Sequence, residues 1–209
     1  RRDQNRPKRD ARVGMLPPKL AQIIINLAKP EIGATVLDPF CGTGVLLQEA
    51  LLMGFKVYGT DLEPRMIEYA NANLEWLNLN TTDWRLETAD ARTHKWQPPF
   101  DVIAGETYLG KPLASLPPRL VMDKITKECD DIHAKFLTNI VHQLPAGARL
   151  CLAVPAWRLK NGFLHLKTLD RLADLGYTRL SFVHAKTPEL IYHRPDQIVA
   201  RELVVLVKK

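Results

Sequence analysis

TVLDPFCGTG, Thr35 to Gly44, is the stretch on which the fold turns. Thr35, Val36 and Leu37 form a short apolar run that closes on an acid, Asp38. Pro39, Phe40 and Cys41 then break the strand, and Gly42 and Gly44 precede an apolar run that starts at Val45. A buried strand, a glycine turn and a helix in that order predict one unit of an open parallel sheet, where ligands bind beyond the carboxyl ends of the strands. Gly42 and Gly44 lack a Cβ and let backbone approach a ligand. The N–H groups of the first helical turn have no intrahelical partner and aim at the same spot. An anionic group is expected against them.

Two ligand classes use such a turn, and Asp38 separates them. The dinucleotide fingerprint G-x-G-x-x-G is incomplete, because Leu47 stands where the third glycine belongs. A carboxylate about 4 Å from a pyrophosphate would also cost roughly 4 kcal/mol per charge pair at an effective dielectric near 20. Asp38 therefore suits a ligand with a positive centre. S-adenosylmethionine has an ammonium and a sulfonium for Asp38 to face, and a carboxylate for the amides of the turn. The string D-P-x-C-G-T-G resembles the first motif of class I S-adenosylmethionine-dependent methyltransferases, in the form seen in RNA and DNA amine methylases. That resemblance implies cofactor contacts from Asp38, Phe40, Gly42, Thr43 and Gly44.

Working outward, a helix from about Val45 to Met53 is closed by Gly54 and followed by a strand, Lys56 to Thr60, that ends at Asp61. Asp61 lies about 20 residues after Gly42, the spacing at which a βαβ unit sets an acid over a ribose. A carboxylate there accepts both ribose hydroxyls, each charge-assisted bond contributing about 1.5–3 kcal/mol. The alternative is a cap for the next helix, which carries Ile67, Ala70, Leu74 and Leu77 on one face. Leu62 joins Asp61 as a cofactor contact. Trp84 to Thr88 make a third strand, followed by Ala89, Asp90 and Ala91. In the methyltransferase pattern an acid at this point accepts from the adenine amine, which singles out Asp90 and Ala91. Asp38, Asp61 and Asp90 each close one of three successive strands, and such strands end on one edge of a parallel sheet.

The exit of the fourth strand, Asp101 to Gly105, departs from the family. Amine methylases of this kind carry D-P-P-Y or N-P-P-Y there: the acid or amide accepts hydrogens from the target amine, and the tyrosine stacks on the base. Aligned on the final glycine, this chain reads Glu106, Thr107, Tyr108, Leu109, Gly110. Glu106 and Tyr108 are the catalytic candidates. The extra methylene of Glu106 moves its oxygens by more than the roughly 0.5 Å that a preorganised site tolerates. Three outcomes are open: an altered acceptor, a protein that binds cofactor and hardly catalyses, or a structural loop.

Upstream of the turn, Pro17 and Pro18 suit a helix start, and Leu20, Ile23, Ile24 and Leu27 recur at helical spacing. Arg6 to Ala28 also resembles the lead-in to the catalytic domain of tRNA guanosine methyltransferases that modify the exocyclic amine. That resemblance places Met15 and Leu16 beside the cofactor, with core packing as the alternative. Downstream, a long helix buries Ile125, Ile132, Phe136 and Ile140. Its Cys129 and His133 have the spacing of a metal pair but supply too few ligands for a zinc site. Leu150 to Val154 form a fifth strand, and Trp157 beyond it is a candidate for stacking on a flipped base, or else a core tryptophan. A helix through Leu166, Leu169, Leu172 and Leu175 then precedes two strands, Arg179 to Val183 and Ile198 to Val207. Their short connection forces antiparallel pairing. Tyr192 and Arg194 in that connection are further substrate-binding candidates. The expected architecture is an α/β Rossmann-like sheet of seven strands with an antiparallel last strand and helices on both faces.

Hydrophobic residues make up 46% of the 209 and charged residues 25%, a balance that argues against disorder and suits one domain. Residues 1–18 form a basic lead-in and 19–209 a single catalytic domain. No apolar run is long enough for a membrane span, and three scattered cysteines fit no disulfide framework, so a cytoplasmic setting is expected. The net charge of +6 is concentrated near the start, in Arg1, Arg2, Arg6, Lys8, Arg9, Arg12 and Lys19 against Asp3 and Asp10. It suggests RNA as partner, or else only a solvated tail. Together with the resemblance, it implies a tRNA methyltransferase acting on a guanine exocyclic amine, with an upstream RNA-binding THUMP module outside this stretch. The alternatives are a degenerate scaffold that holds cofactor or RNA, and a methylase of DNA or a small molecule.

Overall fold

Residues 5–9, 15–79 and 83–209 are described in the computed structural model; Arg1, Arg2, Asp3, Asp10 and Arg12 of the basic lead-in lie outside them. In chain order the elements are α1 (Pro18–Ala28), β1 (Thr35–Asp38), α2 (Val45–Leu52), β2 (Lys56–Asp61), α3 (Pro64–Trp76), β3 (Trp84–Thr88) and β4 (Val102–Glu106). They are followed by α4 (Arg119–Ile140), β5 (Arg149–Leu159), β6 (Gly162–Leu164), β7 (Tyr177–Arg179), β8 (Ile191–Tyr192) and β9 (Val199–Lys208).

The strands pair in the order β3-β2-β1-β4-β5-β9-β7, with β6 added to β5 and β8 to β9. The first five are parallel, whereas β9 runs antiparallel to both β5 and β7. Alternation along the strands divides the core into two layers. Val36, Val57, Ala104, Cys151 and Val205 face α1, α2 and α3, and Leu37, Tyr58, Ile103, Leu150 and Leu206 face α4. Strand order reverses at β1, which has β2 on one side and β4 on the other. That reversal opens the crevice between their carboxyl ends where open α/β sheets bind ligands. Asp38 and Glu106 stand on its two sides.

Three local expectations are corrected. Helix α1 buries Leu20, Ala21, Ile24, Ile25 and Ala28 and leaves Ile23 41% exposed. Three consecutive isoleucines make the stripe ambiguous in sequence, and each that is buried contributes about 1.5–3 kcal/mol. The expected helix over residues 166–175 is a 3-10 turn, Lys167–Arg171. Its leucines recur every third residue, the period of a 3-10 helix rather than 3.6. The Asp130 carboxylate pins the turn by accepting from the Thr168 N–H and hydroxyl, both at 2.8 Å. Strand β7 lies earlier than expected because Tyr177 pairs with Lys208 at the end of β9, and Val183 is left 93% exposed.

Candidate active site

The glycine turn is braced from below before it contacts anything above. The Cys41 N–H donates to the Thr60 carbonyl at 2.9 Å, tying the turn to the end of β2. Thr60 donates its hydroxyl to the Pro39 carbonyl and accepts from Trp96 Nε1, so Trp96, which had no expected role, supports the turn through Thr60. Gly44 has φ +81, and a Cβ there would lie 3.2 Å from that of Ala70 on α3. Gly44 seats the turn on α3 and its N–H donates to the Cys41 carbonyl, while its neighbours Thr43 and Val45 line the cavity.

A cavity of about 620 Å³ opens over the turn and the strand ends. Asp38, Phe40, Gly42, Thr43, Asp61, Leu62, Asp90, Ala91, Glu106 and Tyr108 all line it, together with Met15 and Leu16 from the lead-in. Trp157, Tyr192 and Arg194 do not. Trp157 is fully buried in the α4 layer, so the stacking role expected for it is ruled out by its position. Tyr192 lies opposite Arg201 in the β8–β9 pair and packs on the other layer, while Arg194 is exposed in the loop that follows.

Among the described residues of the lining, acids outnumber bases by six (Asp38, Asp61, Glu63, Asp90, Glu106 and Glu128) to two (Arg92 and Lys111). Asp38 is 2% exposed, and its Oδ1 accepts from the Phe40 N–H at 3.1 Å. Burial pushes its carboxyl well above the ordinary range; the Phe40 N–H opposes this, and Asp61 and Glu106 add to it. Gly105 explains how the acid fits, since a Cβ on β4 would come within 2.6 Å of Asp38 Oδ1. Asp61 accepts from the N–H groups of Gly42 at 2.9 Å and Glu63 at 3.0 Å, and burial likewise raises its carboxyl. Helix α3 begins at Pro64 after Glu63, so Asp61 is not its cap residue. Asp90 is held by Arg92, whose guanidinium and backbone N–H both donate to it and keep it below the usual carboxylate range.

The exit of β4 is held in a different way. Glu106 forms a bidentate ion pair with Arg201 of β9, through Nε to Oε2 and Nη2 to Oε1. Thr107 is 3% exposed, and its backbone N–H donates to the Ala153 carbonyl at 3.0 Å. Its hydroxyl lies 2.5 Å from His133 Nε2. His133 Nδ1 lies 2.6 Å from the Cys129 carbonyl, which can only accept, so the proton sits on Nδ1 and Thr107 donates to Nε2. Burial holds this histidine neutral by pushing it down to about 4. Tyr108 donates its hydroxyl to Glu128 at 3.4 Å. Arg201 and Arg92 were missed in sequence. Arg92 carries no local signal, but Arg201 and Glu202 are adjacent charges inside an otherwise apolar strand, and that is a readable one.

The family model for the RMKL-like methyltransferase domain matches residues 6–171. The chain belongs to that family. A tRNA (guanine(10)-N2)-dimethyltransferase of Methanothermobacter thermautotrophicus is 32% identical over 142 residues, which are 68% of this chain and 39% of that protein. The enzyme of the same name from Pyrococcus abyssi is 33% identical over 141 residues, with the same two coverages. This methyltransferase domain thus spans about two fifths of those relatives. Among solved structures, TrmN of Thermus thermophilus superposes with a TM-score of 0.65 at 25% identity, over 93% of the domain and 49% of that chain.

Proposed function

We propose that this domain is an S-adenosylmethionine-dependent RNA methyltransferase acting on tRNA at a guanine exocyclic amine, in the cytoplasm. The observation that carries the reading is the meeting of Asp38, Asp61, Asp90 and Glu106 in one cavity over the glycine turn. A site so rich in acid favours a cation, and burial of Asp38 leaves it short of one. The cofactor would supply a methyl group on a cationic sulfur. Asp38 would face its ammonium, Asp61 its ribose, and Asp90 and Ala91 its adenine, in a volume ordinary for a ligand site. Met15 and Leu16 would cover the methionine end.

The chain's own contribution is positioning and proton acceptance. The amine nitrogen would receive its methyl group from the cofactor's sulfur, which would keep the electron pair of the broken bond. The nitrogen becomes cationic and releases a proton, and the Glu106 carboxylate is the acceptor at that edge. Tyr108 at the rim offers a ring to the base. The names of the two relatives support tRNA as substrate and guanine as target. One observation favours a second reading, a scaffold that holds cofactor without turnover: Glu106 is already paired with Arg201.

Transfer of labelled methyl from S-adenosylmethionine to total tRNA, followed by nucleoside mass spectrometry, decides between the two. The proposal expects label in N2-methylguanosine or its dimethyl form. Cofactor binding with no label in tRNA at any protein concentration would establish the scaffold, and label in DNA alone would move the substrate class.

A further inference from the structure

The ion pair that looks like an obstacle to catalysis has a geometry suited to the opposite role. Glu106 projects from the end of β4 and Arg201 from β9, with β5 between them. Ala153, the β5 partner of Glu106, and Leu203, its partner on β9, both lie in the layer facing α1. Arg201 is two residues from Leu203 and so projects to the same face. The small side chain of Ala153 leaves room for the two long side chains to meet across β5. Arg201 is 5% exposed and does not line the cavity, whereas Glu106 does. The arginine therefore stands behind the carboxylate.

Resting on the reading of Glu106 as proton acceptor, we propose that Arg201 is the positioning residue of this site, anchoring the longer glutamate side chain where the family motif has a shorter acid or amide. The short bond takes Oε2, while Oε1 is held only loosely, at 3.4 Å. An ionised carboxylate offers about four acceptor sites, so two guanidinium bonds leave others for an amine. A planar fork also removes the freedom that the extra methylene introduces. The same contact sets the charge. Burial lifts the Glu106 carboxyl, and the charge of Glu106 in turn helps to raise Asp38 across the crevice. Glu128 of α4 also lines the cavity with negative charge, against Lys111 from the loop after β4. Arg201 opposes the lift, and a carboxylate must stay ionised to accept a proton.

Two variants separate charge from orientation, each read by methyl transfer to tRNA across pH and by 13C-NMR titration of carboxyl-labelled glutamate, with the Glu106 signal assigned from Glu106→Gln. Arg201→Met is expected to move the Glu106 titration upward by about 1–3 in pH. Transfer at pH 7 should fall by no more than the factor that this shift itself gives, and recover as pH rises. Arg201→Lys keeps a cation without the fork; its titration should stay in place while kcat falls about tenfold at unchanged KM. S-adenosylmethionine affinity within threefold of wild type reports an intact fold, and if the methionine variant fails to fold, the lysine variant carries the test. An unmoved titration in Arg201→Met, wild-type kcat in Arg201→Lys, or a methionine variant faster than wild type would each overturn the inference. No transfer by the wild-type chain, with the titration moving as expected, would remove the functional reading while upholding the hold of Arg201 on the carboxylate.

Discussion

The two halves of the cavity are built on different scales. At the ends of β1, β2 and β3 the acids are held mainly by their own neighbourhoods: Asp38 by Phe40, Asp61 by Glu63 and Gly42, Asp90 by Arg92. At the end of β4 every polar side chain depends on a distant segment: Glu106 on Arg201, Thr107 on His133, Tyr108 on Glu128. A half assembled locally can keep one ligand through large changes elsewhere in the chain. A half assembled from α4 and β9 can change its acceptor by changing those elements, and the family motif is lost in that half.

The sharpest break in the comparison is Glu106→Ala. It is expected to lower turnover about 10²- to 10⁴-fold, as removal of a proton acceptor does, with cofactor affinity kept within threefold. Loss of cofactor binding in a calorimetric titration would instead put Glu106 in the first half. Trp157→Ala should lower unfolding free energy by about 3–5 kcal/mol in urea, the cost of emptying a fully buried aromatic site. Trp157→Phe should keep methyl transfer within a few fold; a large loss of transfer in a stable phenylalanine variant would return Trp157 to the substrate.

In the local half, Asp61→Ala should weaken S-adenosylmethionine at least about tenfold through lost charge-assisted bonds. Unchanged affinity would remove Asp61 from the ribose. The smallest effect is a pH dependence. Burial raises the Asp38 carboxyl in the free protein, and a bound cation would lower it again, so binding should release protons and tighten as pH rises above the ordinary carboxylate range. Calorimetry in buffers of different ionisation enthalpy measures that release, and an affinity indifferent to pH would show that Asp38 does not meet a cation.

Much of this molecule was readable from one dimension because its signals are local. DPFCGTG is a strand end, a turn and a helix start within ten residues, and the acids that close β1, β2 and β3 are ordered by the βαβ repeat itself. The antiparallel last strand followed from a connection too short to cross the sheet. Other features were ambiguous for equally physical reasons. Trp157 follows a strand in sequence, but β5 extends through Leu159 to match the length of β9, which carries the ring into the core. The positive φ of Gly44 and its closeness to Ala70, which bar a side chain there, show only in three dimensions.

Composition and local pattern thus determined the sheet class, the turn and the acids of the local half, because each rests on residues near one another along the chain. Tertiary structure alone decided that Trp157 lies in the core rather than at the crevice, and what partners Glu106. Glu106 and Arg201 lie 95 residues apart and meet only because β9 inserts beside β5. No local period records an encounter of that kind.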